Sequence, residues 1–155
     1  MSEQAVFQVL LHEWQECEVQ ASLVRKIVFI DEQGVSLEEE MDGRDDQCVH
    51  AVAWSGNTAV GTGRLLPEGS IGRMAVLREY RGRKVGSLLL TALVESARSK
   101  GYAQVYLAAQ EHALPFYLRH GFIPEGERFF EAGIAHVMMR RHLSGTKTQA
   151  PAAKE

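Results

Sequence analysis

The chain has 155 residues, 45% of them hydrophobic and 24% charged, with a formal net charge of −3 at pH 7. That length suits one domain with a single core, and the slight negative balance gives no overall bias toward nucleic acid. No apolar run approaches the about 18 residues of a membrane span, Met1-Ser2-Glu3-Gln4 lacks the basic-then-apolar order of a secretory signal, and Cys17 and Cys48 fit reduced cytoplasmic thiols better than a disulfide framework.

Phe7, Val9 and Leu11 recur at every second position and predict a first strand. From about Glu16 to Ile30 the apolar residues Val19, Leu23, Ile27 and Ile30 fall at helical spacing, and Asp31-Glu32-Gln33-Gly34 reads as the helix end. Glu38 to Asp46 is acidic. It is either a solvated loop or a surface that attracts a cationic amine. Cys48–Trp54 and Ala59–Leu66 predict a hairpin turning at Ser55-Gly56-Asn57-Thr58, and Ser70–Val76 a further strand.

A helix is predicted from Gly86 to about Lys100, with Leu88, Leu89, Ala92, Leu93 and Ala97 on one face and Gly101 as its cap. Val105–Ala109 reads as a short buried strand and His112–His120 as a helix ended by Gly121. Phe122–His142 reads as two extended pieces parted by Ala132-Gly133. The order predicts an α+β fold, with one domain over 1–143 and a disordered tail over 144–155.

Between the strand ending at Val76 and the helix beginning near Gly86 stands Arg81-Gly82-Arg83-Lys84-Val85-Gly86. The first N–H groups of a helix have no intrahelical partner, and the macrodipole adds roughly half a positive charge there. Glycine permits close backbone approach, and Arg81, Arg83 and Lys84 add formal charge. Taken alone, these residues are either a phosphate or pyrophosphate cradle or a basic turn capping a helix. The spacing fits neither a P-loop nor a dinucleotide fingerprint.

The run Ile71 to Leu89 resembles the acyl-CoA site of the GCN5-related N-acetyltransferase (GNAT) superfamily. Its hallmark is Gln/Arg-x-x-Gly-x-Gly/Ala. Arg81 and Gly86 match, and Lys84 stands where glycine is usual. A second block, Gln110 to Phe122, resembles the family's Asn-x-x-Ala-x-x-x-Tyr-x-x-x-Gly-Phe segment, matching at Ala113, Tyr117, Gly121 and Phe122, with Gln110 in place of Asn. Val28 to Gln33 and Glu131 to His136 are similar to the ElaA-like branch.

The resemblance implies a mixed, mostly antiparallel sheet of about six to seven strands flanked by about four helices. It implies acetyl transfer from acetyl-CoA directly to an amine, without a metal. Arg81, Gly82, Arg83, Lys84, Val85, Gly86 and Ser87 would take the pyrophosphate. Met74 and Val76 would meet the pantetheine, and Met74 and Ala75 N–H groups would polarise the thioester. Gln110, Ala113, Phe116 and Tyr117 complete the implied donor site. Tyr117 matches the tyrosine that protonates the departing thiolate. Glu32, His50, Glu111, His136 or water are candidates for deprotonating the amine.

The histidines are scattered and lack metal-site spacing. A non-catalytic acyl-CoA-binding module and a nucleic-acid binder using Arg73, Arg78, Arg81, Arg83 and Lys84 are the competing readings. The negative charge counts against the second. A homodimer is the expected assembly.

Overall fold

The computed structural model describes residues 6–143, so the expected disordered tail over 144–155 lies outside the described residues. The elements run β1 (Phe7–His12), α1 (Trp14–Arg25), α2 (Leu37–Glu40), β2 (Val49–Ser55), β3 (Thr58–Leu65), β4 (Ile71–Val76), α3 (Val85–Ser99), β5 (Gln104–Gln110), α4 (Leu114–Arg119), β6 (Ile123–Glu131) and β7 (Ile134–His142). The fold is α+β, as expected. Hydrogen bonding divides the strands into two antiparallel sheets, ordered β1-β2-β3-β4 and β5-β7-β6. An isolated parallel bridge joins Ser70 to Tyr106.

The described chain falls into two compact units. One is built from the residues up to Pro67 with Ile71–Leu93, the other from Glu68–Ser70 and the chain from Val94 onward. In the first unit the sheet register is continuous from Phe7↔Ser55 to His12↔His50, and from Val49↔Leu65 to Ser55↔Thr58 with one irregularity at Ala53/Trp54. α1 packs on this sheet through Trp14, Cys17, Ala21 and Val24. The small residues Cys17 and Ala21 let the helix approach closely.

This corrects the predicted helix face. Val19, Leu23 and Ile27 are 76, 57 and 37% exposed. The buried stripe instead runs Cys17, Ala21, Val24, Arg25, Val28, and it contains an arginine. The apolar period was real but belonged to the outer side, because the inner side is made of small residues and one buried charge. After Arg25 the helix widens into a π-helical segment, Lys26–Glu32, which ends at Gly34 with φ +75. In α3, Leu89, Leu93 and Ala97 are buried as predicted, whereas Leu88 is exposed and Leu90 and Val94 are buried.

In the second unit β7 is the central strand, pairing Gln104↔His142 through Gln110↔His136 on one side and Ile123↔Arg140 through Glu131↔Ile134 on the other. Val105, Leu107, Ala109, Phe122 and Met139 form its buried side. The β6–β7 turn uses two left-handed residues, Ala132 (φ +52) and Gly133 (φ +75), as a two-residue hairpin with right-handed strand twist requires.

Candidate active site

β4 is the outer strand of its sheet. Its pairing runs Gly61↔Val76, Thr62↔Ala75, then Arg64↔Gly72. One residue of β3, Gly63, thus opposes two of β4, Arg73 and Met74, which is a bulge. Arg73 and Met74 drop out of the register, and Arg73 takes a left-handed φ of +52. Such strain in a side-chain-bearing residue persists where the surroundings hold it. Here the Arg73 guanidinium donates to the Glu40 carbonyl (3.0 Å) and the Glu39 carbonyl (3.3 Å), at the end of α2. The bulge has no local sequence signal, since Arg73 reads as an ordinary strand residue.

Two glycines of β3 shape what lies over the sheet. A Cβ at Gly63 would stand 2.5 Å from the Met74 sulfur, so only glycine lets Met74 fold across. A Cβ at Gly61 would meet Leu89 at 3.0 Å, Val85 at 3.1 Å and the Ala75 carbonyl at 3.2 Å. Gly61 therefore lets the first turns of α3 rest on the sheet beside β4.

β4 leads through a short 3-10 turn (Arg78–Tyr80) to the loop before α3. Gly82 has φ +79 and Lys84 φ +70. Lys84 thus adopts the backbone conformation that glycine favours, at the position where the family usually has glycine. The Lys84 carbonyl accepts from the Leu88 N–H at 3.1 Å and opens the helix. The left-handed conformation costs a lysine about 1–2 kcal/mol, so the chain keeps the loop geometry at some cost in strain. Arg83 lies over the Tyr80 ring at 5.5 Å.

Arg81 is bound inward. Its Nε donates to the Val76 carbonyl (2.8 Å), and its two terminal nitrogens donate to the Glu32 carboxylate at 2.7 Å each. Arg78 adds a longer contact to Glu32 at 3.5 Å. The hydrogen bonds and charge of Arg81 hold the Glu32 carboxyl down at about 2, partly opposed by burial. A carboxylate so stabilised in its charged form is a weak proton acceptor, which counts against Glu32 as the base.

The acidic stretch, expected either as a solvated loop or as a cation-attracting surface, divides: Glu38, Glu39 and Asp46 are exposed, whereas Glu40, Asp42 and Asp45 pair with arginines. Arg25, buried between α1 and the sheet, donates to Glu40 (2.5 Å) and through both terminal nitrogens to Asp45 (2.8 and 3.2 Å). Arg64, buried on β3, donates to Asp45 (2.9 Å) and to both oxygens of Asp42. Arg73 reaches Asp42 at 3.4 Å. Three arginines thus face three carboxylates. Burial alone would raise the Asp45 carboxyl, but its arginine partners pull it below the usual range. Sequence patterning had two hints. Arg25 breaks the small-residue stripe, and Arg64 interrupts an otherwise apolar strand.

His50, a candidate base, is instead a core residue with no exposed surface. Its Nε2 is 2.9 Å from the Asp45 carbonyl, its ring lies 4.7 Å from that of Trp14, and burial lowers its pKa. An amine substrate has no access to it. Cys17 and Cys48 are buried free thiols, and burial pushes both up to about 11, which leaves them unreactive.

In the second unit, Gln110 ends β5, Ala113 lies in the following 3-10 turn (Glu111–Ala113), and Phe116 and Tyr117 lie in α4. Tyr117 is buried between Phe116 (ring centroids 5.0 Å) and Phe122 (5.9 Å). Burial raises its hydroxyl to about 12. Glu111 pairs loosely with Arg128 at 3.5 Å. His136 is buried, stacks on Phe129, and has Nδ1 2.7 Å from the Ile134 carbonyl. Among the described residues no group of three His, Cys, Asp or Glu side chains is placed to hold a metal ion.

A bulged outer strand that runs through a glycine-type loop into a helix N-terminus is the framework of an acyltransferase that grips its donor by phosphate. Residues 16–143 match the acetyltransferase (GNAT) domain model, and the chain belongs to that family of acyl-CoA-using N-acetyltransferases. Within the family it falls in the ElaA-like branch. Escherichia coli ElaA is 33% identical over 129 residues, 77% of this chain and 84% of ElaA. Its crystal structure matches with a TM-score of 0.78 over 87% of this chain and 99% of that one, at 30% identity. The uncharacterized N-acetyltransferase YjcF of Bacillus subtilis is 37% identical over 125 residues, 78% of this chain and 89% of YjcF. The crystal structure of an acyl-CoA N-acyltransferase from Pseudomonas aeruginosa matches with a TM-score of 0.78 and 29% identity, over 88% of this chain and 99% of that one.

Proposed function

We propose that the chain moves an acetyl group from acetyl-CoA directly to a primary amine of a small molecule or peptide, and that residues 1–143 act as one catalytic domain. The observation that carries this reading is the path from the β4 bulge through left-handed Gly82 and Lys84 into α3. An extended pantetheine can add to an outer strand as a further strand would, here along Met74–Val76. Backbone N–H groups from Arg81 to Ser87, with Arg83 and Lys84, then meet the pyrophosphate. The match of the family model across both units supports treating them as one domain.

The chemistry follows from these assignments. The amine lone pair attacks the thioester carbon, and the carbonyl oxygen becomes an oxyanion. The Met74 and Ala75 N–H groups stabilise it, because Met74 has left the strand ladder at the bulge. The carbon–sulfur bond then breaks and CoA leaves as a thiolate. Tyr117, matching the family's tyrosine, supplies the proton. With its hydroxyl raised to about 12, Tyr117 stays protonated at any working pH and always arrives as a donor. A lysine-like amine with pKa about 10.4 must lose a proton before attack. With His50 sealed in the core and Glu32 held by Arg81, the carrier is water, Glu111 or His136.

The test is an acceptor screen with purified protein, reading free thiol released from acetyl-CoA and the mass gained by the amine. At least one amine should release thiol in step with its own acetylation. Donor binding without turnover across a broad panel of polyamines, amino sugars, amino acids and peptides would replace this reading with that of a non-catalytic acyl-CoA binder.

A further inference from the structure

Arg81 matches the first residue of the family's phosphate motif, yet three of its five N–H donors point into the protein: one to Val76 and two to Glu32. Val76 is the last residue of β4, and Glu32 is the last residue of the π-helical segment. Leu77 is tied to β3 through its N–H on the Val60 carbonyl at 2.9 Å. The Arg81 side chain therefore closes the turn from 76 to 81 and fastens it to the segment that follows α1. The fork is planar and bidentate, a geometry that fixes orientation as well as charge. π-helical turns recur at functional positions. This one carries Glu32, whose two carboxylate oxygens each accept from a terminal nitrogen of Arg81.

We propose that Glu32 and Arg81 form a staple, with both acting as positioning residues for the donor loop and neither acting as base or as principal phosphate ligand. The proposal rests on the donor reading given above. The staple holds the end of β4 and the start of the loop in one orientation, so that the backbone N–H groups ahead of α3 face a pyrophosphate. It assigns the direct charge contacts to Arg83 and Lys84. It also gives a sign that plain electrostatics does not. Removing a carboxylate beside an anion site should tighten anion binding by Coulomb's law. Removing half of a staple should weaken it.

The experiment measures CoA binding by calorimetry for wild type, E32A, R81A and the double variant, with melting temperatures as a check on folding and donor KM and kcat from the acetylation assay. The staple predicts that each single change weakens CoA by about tenfold, within coupling energies measured for residues that act as a unit. The two losses should agree within about threefold, and the double variant should lose no more than about threefold beyond either. Donor KM should rise while kcat at saturating donor stays within about threefold. Wild-type or tighter CoA binding by E32A would overturn the staple. So would a loss in R81A well beyond that in E32A, or losses that multiply in the double variant, since Arg81 would then act on the phosphate by itself. A wild-type chain that binds no CoA would overturn the donor reading itself, and the staple with it.

Discussion

The first unit contains two arginine–carboxylate assemblies that differ in their contact with water. Arg25 and Arg64 are buried with Glu40 and Asp45, and Asp42 sits at their margin. Arg81 and Glu32 make an equally well-formed bidentate pair, with the arginine side chain 40% and the carboxylate 25% exposed. The chemistry is the same and the consequence is not. Buried charges cannot be separated without leaving one of them unpaired and desolvated, so the inner assembly behaves as a fixed joint. A pair open to solvent contributes little to stability and can be remade with other ions. The inner group ties α1, the acidic segment and β3 together, and through Arg73 it reaches the β4 bulge. The outer pair ties the loop before α3 to the π-helical segment, orienting it while adding little to stability.

Breaking the inner joint should have the largest effect. Arg25→Ala leaves buried Glu40 with only the 3.5 Å contact to Arg73 and Asp45 with Arg64 alone, and we expect a loss of about 3 kcal/mol in urea-unfolding free energy. Glu32→Ala should cost about 1 kcal/mol or less by the same measurement. Equal losses would erase the distinction between the two assemblies.

A chemical contrast comes next. Tyr117→Phe keeps the ring that packs against Phe116 and Phe122 and removes only the hydroxyl. Turnover should fall by about a hundredfold, with the CoA dissociation constant changed by less than about threefold. An unchanged kcat would remove Tyr117 from proton transfer.

Lys84→Gly should show a smaller effect. Release of left-handed strain worth about 1–2 kcal/mol, offset by about 0.5–1 kcal/mol of glycine's extra freedom in the unfolded chain, leaves a net gain of about 0.75 kcal/mol at the midpoints of the two ranges. For a chain of this size that is a rise of roughly 2–3 °C in melting temperature. A fall in melting temperature would mean that the lysine side chain holds the loop.

The smallest effect is the pH dependence of the outer pair. The folded Glu32 carboxyl lies at about 2, below its ordinary value. Its contribution is therefore present above the unfolded pKa of about 4.3 and is lost as pH falls toward 2. The stability difference between wild type and Glu32→Ala should shrink steadily from pH 5 to pH 2. It should also shrink with added salt at neutral pH. A gap that grows on acidification would contradict the pairing.

How much of this was legible depends on which physical signal each residue carries. Turns were readable because glycine marks positive φ, as at Gly34, Gly101 and Gly121. The strands were readable from alternation or apolar runs, and the connection from β4 to α3 from the glycines and basic residues between them. The α1 face was misread because Cys17 and Ala21 are small and Arg25 is charged, so the true core stripe looked less apolar than the exposed row of Val19, Leu23 and Ile27. The pairing of Glu40, Asp42 and Asp45 was not legible because Arg25, Arg64 and Arg73 come from three distant elements, and local composition holds no record of long-range partners. Arg73 and Lys84 carry left-handed backbones without glycine's signature. For Lys84, only its place in the family motif pointed to the conformation it adopts.

A CoA site along the path from the β4 bulge to α3 is read out by a calorimetric titration of acetyl-CoA into the wild-type chain. Saturable one-to-one binding that weakens as salt rises is expected, with a melting temperature that climbs with ligand concentration. No binding heat and no thermal shift at saturating acetyl-CoA would contradict it.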